Sequence, residues 1–128
     1  MVKLLVIGVG GALGALLRYA VSGLSHRFFE GAFPVGTLVV NYLGCFLIGF
    51  AWVLLTQTTF GSNTRSFVLI GLLGAFTTFS TFGLESVNLF RDNEIKLAFA
   101  NILLSNIGGL ILVLAGFFAA RILLNAFR

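Results

Sequence analysis

The chain contains 128 residues, of which 59% are hydrophobic and only 9% are charged. A soluble domain of this size usually carries about 25% charged residues. The composition therefore excludes an ordinary soluble enzyme, a disordered chain and a nucleic-acid-binding protein with a polar face, and a single cysteine excludes a disulfide scaffold. The net charge of +4 comes from basic residues spread thinly along a very apolar chain, which favours Lys and Arg beside membrane spans over a nucleic-acid partner.

Four apolar runs predict an all-α membrane protein with four transmembrane helices in a single transmembrane domain, residues 1–128. A helix needs about 20 apolar residues to cross the hydrocarbon core. The runs cover about residues 4–24, 35–55, 66–90 and 97–120. The first run is not expected to be a cleaved signal peptide, because no polar mature domain follows it. Pro34, the only proline, precedes the second run, where it suits a helix start.

The basic residues divide evenly between the two sides of such a protein. Four spans put both termini and the second loop on one side, which carries Lys3, Arg65, Arg121 and Arg128. The other side carries Arg18, Arg27, Arg91 and Lys96. Orientation follows an excess of Lys and Arg on the cytoplasmic side, so four residues against four predict insertion in both orientations and an antiparallel dimer of opposed copies. The alternative is that Lys3, beside the N-terminus, fixes a single orientation.

The third span has an unusual composition for a membrane helix. Four hydroxyl residues and three phenylalanines lie within residues 76–82. Hydroxyl side chains compete for backbone hydrogen bonds, and Gly71 and Gly74 weaken the helix further. We expect a break near residues 74–78, which survives at membrane depth only where protein or water satisfies the freed backbone groups. Freed carbonyl groups can bind a cation, and freed N–H groups can face an anion.

The same stretch predicts a path for a small anion. Phe76, Phe79 and Phe82 are spaced three apart and on a helix share roughly one face. An aromatic ring has a positive edge, hydroxyl donors are interleaved with the rings, and no Lys or Arg lies nearby. Such a path attracts an anion without holding it by a full charge, as conduction requires. The alternative is that the phenylalanines only pack against neighbouring helices.

Three further polar residues each allow two interpretations. Asn41, in the middle of the second span, offers two N–H donors to a pore or forms a helix–helix hydrogen bond. Glu85 is a proton-relay group or lies near the water boundary. Arg18 lines a pore mouth or extends its charged end to the membrane surface.

No catalytic constellation is present in the sequence, so we expect no enzyme activity. Cys45 has no plausible histidine partner, and His26 is isolated in a predicted loop. The chain has no metal-ligand cluster, phosphate-binding loop or carboxylate pair, and a hydrolase or redox enzyme needs at least one of these.

Motifs in three spans resemble the Fluc (CrcB) family of fluoride channels. The third span reads G-A-F-T-T-F-S-T-F-x-x-E from Gly74 to Glu85. The first span contains G-x-x-G-A-x-x-R-Y from Gly11 to Tyr19, and the second contains G-T-L-x-x-N-x-x-G from Gly36 to Gly44. The resemblance covers all four spans and implies a dual-topology antiparallel homodimer with two fluoride pores.

The resemblance also implies roles for individual residues. Phe79 and Phe82 would form the aromatic box, and Asn41 would donate hydrogen bonds near it. Ser80 and Thr81 would line a polar track toward Glu85. The remaining implied positions are Ser105 facing the pore, Arg18 at a wide mouth, and the backbone carbonyl groups of Gly74 and Thr77, which from both copies would bind a structural sodium ion. Asn101 stands where some relatives have an aromatic hydrogen-bond donor, which leaves its role open. Phe76 lies one step before the box, and its role is left open between a place in the path and packing alone.

The function expected is passive export of fluoride through a channel in a bacterial inner membrane. Its partners would be fluoride, sodium, membrane lipids and a second, inverted copy. The main alternative is a small multidrug-type proton-coupled exporter, which would need a carboxylate in a substrate cavity, typically on the first helix. The first span has none. A structural or assembly subunit that transports nothing is the second alternative.

Overall fold

The computed structural model describes residues 1–126, apart from the side chain of His26. Arg128, one of the charges counted above, lies outside the described residues. Within the described part of the chain every regular element is helical, and four helical spans are long and apolar enough to cross a membrane. These are Val2–Ser25, Val35–Gln57, Ser62–Arg91 and Ile95–Ala126. The prediction of an all-helical protein with four membrane-capable helices is confirmed.

The first two spans are single helices, whereas the third and fourth consist of several segments. Helix α1 is Val2–Phe28 and α2 is Val35–Gln57. The third span comprises α3 (Ser62–Arg65), a π-helical segment (Ser66–Leu72), α4 (Leu73–Phe76) and α5 (Phe79–Arg91). The fourth comprises α6 (Ile95–Leu103), a π-helical segment (Leu104–Gly108) and α7 (Gly109–Ala126). Thr77 and Thr78, between α4 and α5, have extended backbone, with φ, ψ of −79°, 157° and −148°, 115°.

Glycines set the close approach of α1 to the third span. A Cβ added at Gly10 would lie 2.7 Å from the Phe67 carbonyl oxygen, and one added at Gly14 would overlap the Leu72 carbonyl oxygen. At Gly71 it would lie 2.7 Å from the Ile7 carbonyl oxygen. Small residues let membrane helices pack backbone to backbone, and here they fix the position of the segment that precedes Thr77.

The second and fourth spans are packed in the same way. An added Cβ at Gly49 would overlap the Val113 carbonyl oxygen, and one at Gly116 would overlap the Phe46 carbonyl oxygen. These contacts bring α7 against α2. Together with the α1 contacts, they hold the third span and the π-helical segment of the fourth span beside the middle of α2.

Candidate functional site

Asn41 on α2 pairs with the backbone of Thr78. Asn41 Nδ2 donates to the Thr78 carbonyl oxygen at 3.0 Å, and the Thr78 N–H donates to Asn41 Oδ1 at 2.8 Å. In a continuous α-helix the Thr78 N–H would bond to the carbonyl group of Gly74. The helix–helix hydrogen bond considered for Asn41 is therefore present. Because the amide nitrogen carries two protons, this pairing still leaves Asn41 one N–H to donate elsewhere.

Thr78 also caps the first turn of α5. Its Oγ1 accepts a hydrogen bond from the Thr81 N–H at 3.3 Å, donates to Thr81 Oγ1 at 2.9 Å, and lies 3.5 Å from Ser80 Oγ. Threonine at this position satisfies an N–H that the helix itself leaves without a partner. Three hydroxyl groups are thus gathered at the positive end of the helix dipole, a setting that favours an anion.

Two of the three phenylalanines form a pair, and the third does not join them. Phe79 and Phe82 have ring centroids 5.3 Å apart and ring planes tilted by 49°. Phe79 is 78% exposed and Phe82 is 8% exposed. Phe76 ends α4, is buried, and lies near Gly44, where an added Cβ would be 3.4 Å from Phe76 Cδ1. Phe79 and Phe82 therefore belong to one helix, as predicted. Phe76 does not belong to it, because extended backbone separates Phe76 from α5.

A first cavity, which we call the phenylalanine cavity, collects five of the predicted site residues. It has a volume of about 290 Å³ and is lined by residues of the second, third and fourth spans. The residues on its wall that were predicted for the fluoride path are Asn41, Phe79, Phe82 and Ser105, and Thr77, predicted for the sodium site, lines it too. None of the residues that line it is charged, so any anion inside would be met by amide and hydroxyl groups and by aromatic rings.

A second cavity, which we call the arginine cavity, shares Thr78 with the first. It has a volume of about 440 Å³, and Arg18, Thr37 and Thr81 are among the residues that line it. Thr78 lines both cavities. Arg18 therefore supplies positive charge to a cavity that shares Thr78 with the uncharged one. Ser80 is exposed and lines neither of these two cavities.

Glu85 is held by a residue for which no role was predicted. Thr37 Oγ1 donates to Glu85 Oε1 at 2.6 Å, and Thr37 is only 7% exposed. Thr37 precedes Asn41 by four residues, so both lie on the same face of α2. That spacing of two polar residues in an otherwise apolar span was the available signal.

Asn101 is the centre of a buried polar chain. Its Nδ2 donates to Ser86 Oγ at 3.0 Å, and its Oδ1 accepts from Ser105 Oγ at 3.3 Å. Ser86 Oγ in turn donates to the Phe82 carbonyl oxygen at 2.8 Å. Sequence reasoning left the role of Asn101 open and missed Ser86, although Ser86 follows Phe82 by four residues and so shares its helix face.

The π-helical segment that contains Ser105 is also held from α2. Tyr42 Oη donates to the carbonyl oxygen of Leu104 at 2.8 Å, and an added Cβ at Gly108 would overlap Tyr42 Oη. Single π-helical turns are frequent at functional sites. Here the turn places Ser105 on the wall of the phenylalanine cavity.

The two residues predicted to offer carbonyl groups to sodium lie on either side of the α4 terminus. Gly74 is exposed, and Thr77 is half-buried, with both its N–H and its Oγ1 bonded to the Leu73 carbonyl oxygen at 3.1 Å. Among the described residues no group of three or more His, Cys, Asp or Glu could hold a metal ion.

These features define a multi-pass helical membrane protein with polar and aromatic side chains gathered between its helices. Residues 5–117 match the family described as "CrcB-like protein, Camphor Resistance (CrcB)", and the chain belongs to this family. The resemblance predicted from the three motifs is confirmed.

Curated relatives cover nearly the whole chain. The fluoride-specific ion channel FluC of Salinibacter ruber is 47% identical over 125 residues, which are 98% of this chain and 94% of the relative. The protein of the same name from Parabacteroides distasonis is 47% identical over 116 residues, 91% of each chain. That from Desulforapulum autotrophicum is 43% identical over 122 residues, 94% of this chain and 98% of the relative.

Proposed function

We propose that the chain is a fluoride-selective channel that lowers cytoplasmic fluoride by passive export across a bacterial inner membrane. One observation carries the proposal: Asn41, Phe79, Phe82 and Ser105 meet in a cavity whose lining residues are all uncharged. The relatives are named fluoride-specific ion channels, which does not favour the multidrug-type exporter. A channel needs no bond-making step, so no catalytic group is assigned.

The two cavities suggest how an anion would travel. Arg18 would raise the anion concentration in the arginine cavity, and the Thr81 hydroxyl would take over part of the hydration shell. Beyond Thr78 the anion would meet the positive ring edges of Phe79 and Phe82, the second N–H of Asn41 and the hydroxyl of Ser105. Ser80 and Thr81 would form the track toward Glu85. Neutral donors bind an anion weakly enough to let it leave.

A second copy would complete the path. Phe79, Ser80 and Asn106 are exposed in the described chain, although all three lie within spans. Polar groups at membrane depth usually face a protein partner or a water-filled cavity. We therefore propose that the whole chain is one transmembrane domain that pairs with an inverted copy. The even division of basic residues supports this dual topology, and lipid would cover the remaining apolar faces.

The extended residues Thr77 and Thr78 fit a sodium site between the copies. We propose that they break the third helix within the membrane. The Thr78 N–H donates to Asn41 instead of Gly74, so the Gly74 carbonyl group is available, and Gly74 is exposed in the described chain, where a second copy would reach it. Unwound backbone carbonyl groups coordinate sodium in other membrane proteins. Gly74 and Thr77 of both copies would supply four oxygen atoms, and the ion would join the copies without taking part in conduction.

Fluoride efflux from liposomes tests the proposed function. Purified protein is reconstituted with internal potassium fluoride, valinomycin is added, and external fluoride is followed with an electrode. We expect fluoride efflux well above that of protein-free liposomes and little efflux from liposomes loaded with potassium chloride. Fluoride efflux equal to the protein-free background would overturn the channel, and equal chloride efflux would overturn its selectivity.

A further inference from the structure

The chain of hydrogen bonds through Asn101 joins two walls of the phenylalanine cavity. At one end is Ser105 and at the other is the carbonyl group of Phe82, and both residues line the cavity. Between them Asn101 is 2% exposed and Ser86 is 5% exposed. Buried polar chains of this kind are strongly constrained, because each unsatisfied member costs free energy.

The direction of these hydrogen bonds decides what Ser105 offers to the cavity. Ser105 Oγ donates its proton to Asn101 Oδ1, and a hydroxyl group has only one proton. In this arrangement the cavity meets the lone pairs of the oxygen atom, which repel an anion. The bond is 3.3 Å long, longer than the usual range of about 2.5–3.0 Å for an O–H···O hydrogen bond, so its proton is readily redirected.

A half-turn of the Asn101 amide reverses the direction of its hydrogen bonds to Ser86 and Ser105. The amide is a donor at its nitrogen and an acceptor at its oxygen. After the turn, Ser86 Oγ donates to Asn101 Oδ1, and Asn101 Nδ2 donates to Ser105 Oγ, which releases the Ser105 proton toward the cavity. The Phe82 carbonyl oxygen still accepts a hydrogen bond from the backbone N–H of Ser86, its partner in the α-helix. Asn101, Ser86 and Ser105 each keep at least one hydrogen bond to another member of the network in both arrangements.

We infer that Asn101 is a positioning residue that sets the direction of the Ser105 hydroxyl and turns its proton toward the cavity when an anion enters. This inference rests on the proposed function, since Ser105 must face the permeating ion. An amide is suited to the task because it exchanges donor and acceptor without any change of charge. A serine without such a neighbour bonds to the carbonyl group four residues earlier in its own helix.

A double-mutant cycle tests the inference. Asn101→Leu keeps the branched shape of the side chain and removes both the donor and the acceptor. We expect Asn101→Leu and Ser105→Ala each to lower the rate of fluoride efflux roughly tenfold. The double variant should be no slower than Ser105→Ala alone, because Asn101 acts only through Ser105. A purely structural role for Asn101 predicts instead that the two losses multiply.

Two further variants keep the test decisive. Asn88→Leu makes the same exchange at an exposed position of α5 that lines neither cavity, and its efflux should equal that of the unsubstituted chain. Ser86→Ala removes the hydroxyl group at the other end of the hydrogen-bond network. It replaces Asn101→Leu in the cycle if the Asn101→Leu variant does not fold. It should show the same absence of further loss in the Ser105→Ala background.

The outcomes separate this inference from the proposed function. If the unsubstituted chain passes no fluoride, the channel itself is overturned. If the unsubstituted chain passes fluoride but Asn101→Leu matches it, or if the losses multiply, the channel stands and the role of Asn101 is overturned.

Discussion

Asn41 and Thr78 exchange two hydrogen bonds, one in each direction, between a side-chain amide and the backbone of a single residue. The amide thus does for Thr78 what a neighbouring strand does for a residue in a β-sheet. Backbone groups outside a helix are very costly in a membrane unless they are satisfied. One asparagine of the second span therefore permits two extended residues in the third.

Replacing Asn41 by Leu should destabilise the protein. The variant keeps the shape of the side chain and leaves both the N–H and the carbonyl group of Thr78 without these partners. Each unsatisfied buried group costs about 1–3 kcal/mol, so we expect a clear fall in the midpoint of thermal unfolding in detergent and loss of fluoride efflux. Asn125→Leu, at an exposed position near the end of α7, is the matched control. An unchanged midpoint for Asn41→Leu would show that Thr78 finds other partners.

The sequence predicted the helical class and four spans because membrane insertion depends on length and apolarity, both of which are local. It also placed Asn41, Phe79, Phe82 and Ser105 among the site residues, and the structure brings them to one cavity. The pairing of Thr37 with Glu85, and of Asn101 with Ser86, could not be read in the same way. Those contacts depend on how α2 and the fourth span are rotated about their axes, which the sequence pattern leaves open in spans that are apolar on every side.

Replacing Thr37 by Val should weaken the hold on Glu85 without changing the packing volume. The lost hydrogen bond at 2.6 Å is worth about 1 kcal/mol. We expect a fall of that size in the free energy of unfolding, measured by denaturant titration in detergent. Combined with Glu85→Leu, the Thr37→Val substitution should cost much less, because the acceptor is already gone.

Thr56→Val provides the control for this pair, since Thr56 is exposed and its hydroxyl bonds to the Trp52 carbonyl oxygen of its own helix. It should leave the stability within about 0.5 kcal/mol of the unsubstituted value. A Thr37→Val cost that stays the same in the Glu85→Leu background would mean that Thr37 acts through packing.

Gly44→Ala should push α2 away from the third span. The added methyl group would overlap Thr77 Cγ2 and lie in van der Waals contact with the ring of Phe76. Overpacking of this kind costs about 1–3 kcal/mol. It would also displace the Asn41–Thr78 pair, which lies about one helical turn from Gly44. We expect a lower midpoint of thermal unfolding together with reduced fluoride efflux. Gly8→Ala is the matched control, because no atom lies within 4 Å of the added Cβ and alanine favours a helix. Equal behaviour of the two variants would contradict the close contact at Gly44.

Substitutions of Phe79 and Phe82 should affect fluoride conduction alike but thermal stability differently. Phe79 is 78% exposed in the described chain and Phe82 is 8% exposed, so Phe79→Ile removes few packing contacts within one copy, whereas Phe82→Ile removes many. Both substitutions remove a polarised ring edge, and the loss of such a contact, about 1.4 kcal/mol, lowers a rate roughly tenfold. We expect fluoride efflux to fall in both variants and the thermal midpoint to fall mainly in Phe82→Ile. Phe118→Ile, at a 57% exposed position on α7 outside both cavities, should change neither. If the Phe79→Ile variant shows normal fluoride efflux, the Phe79 ring serves only in packing and is not part of the ion path.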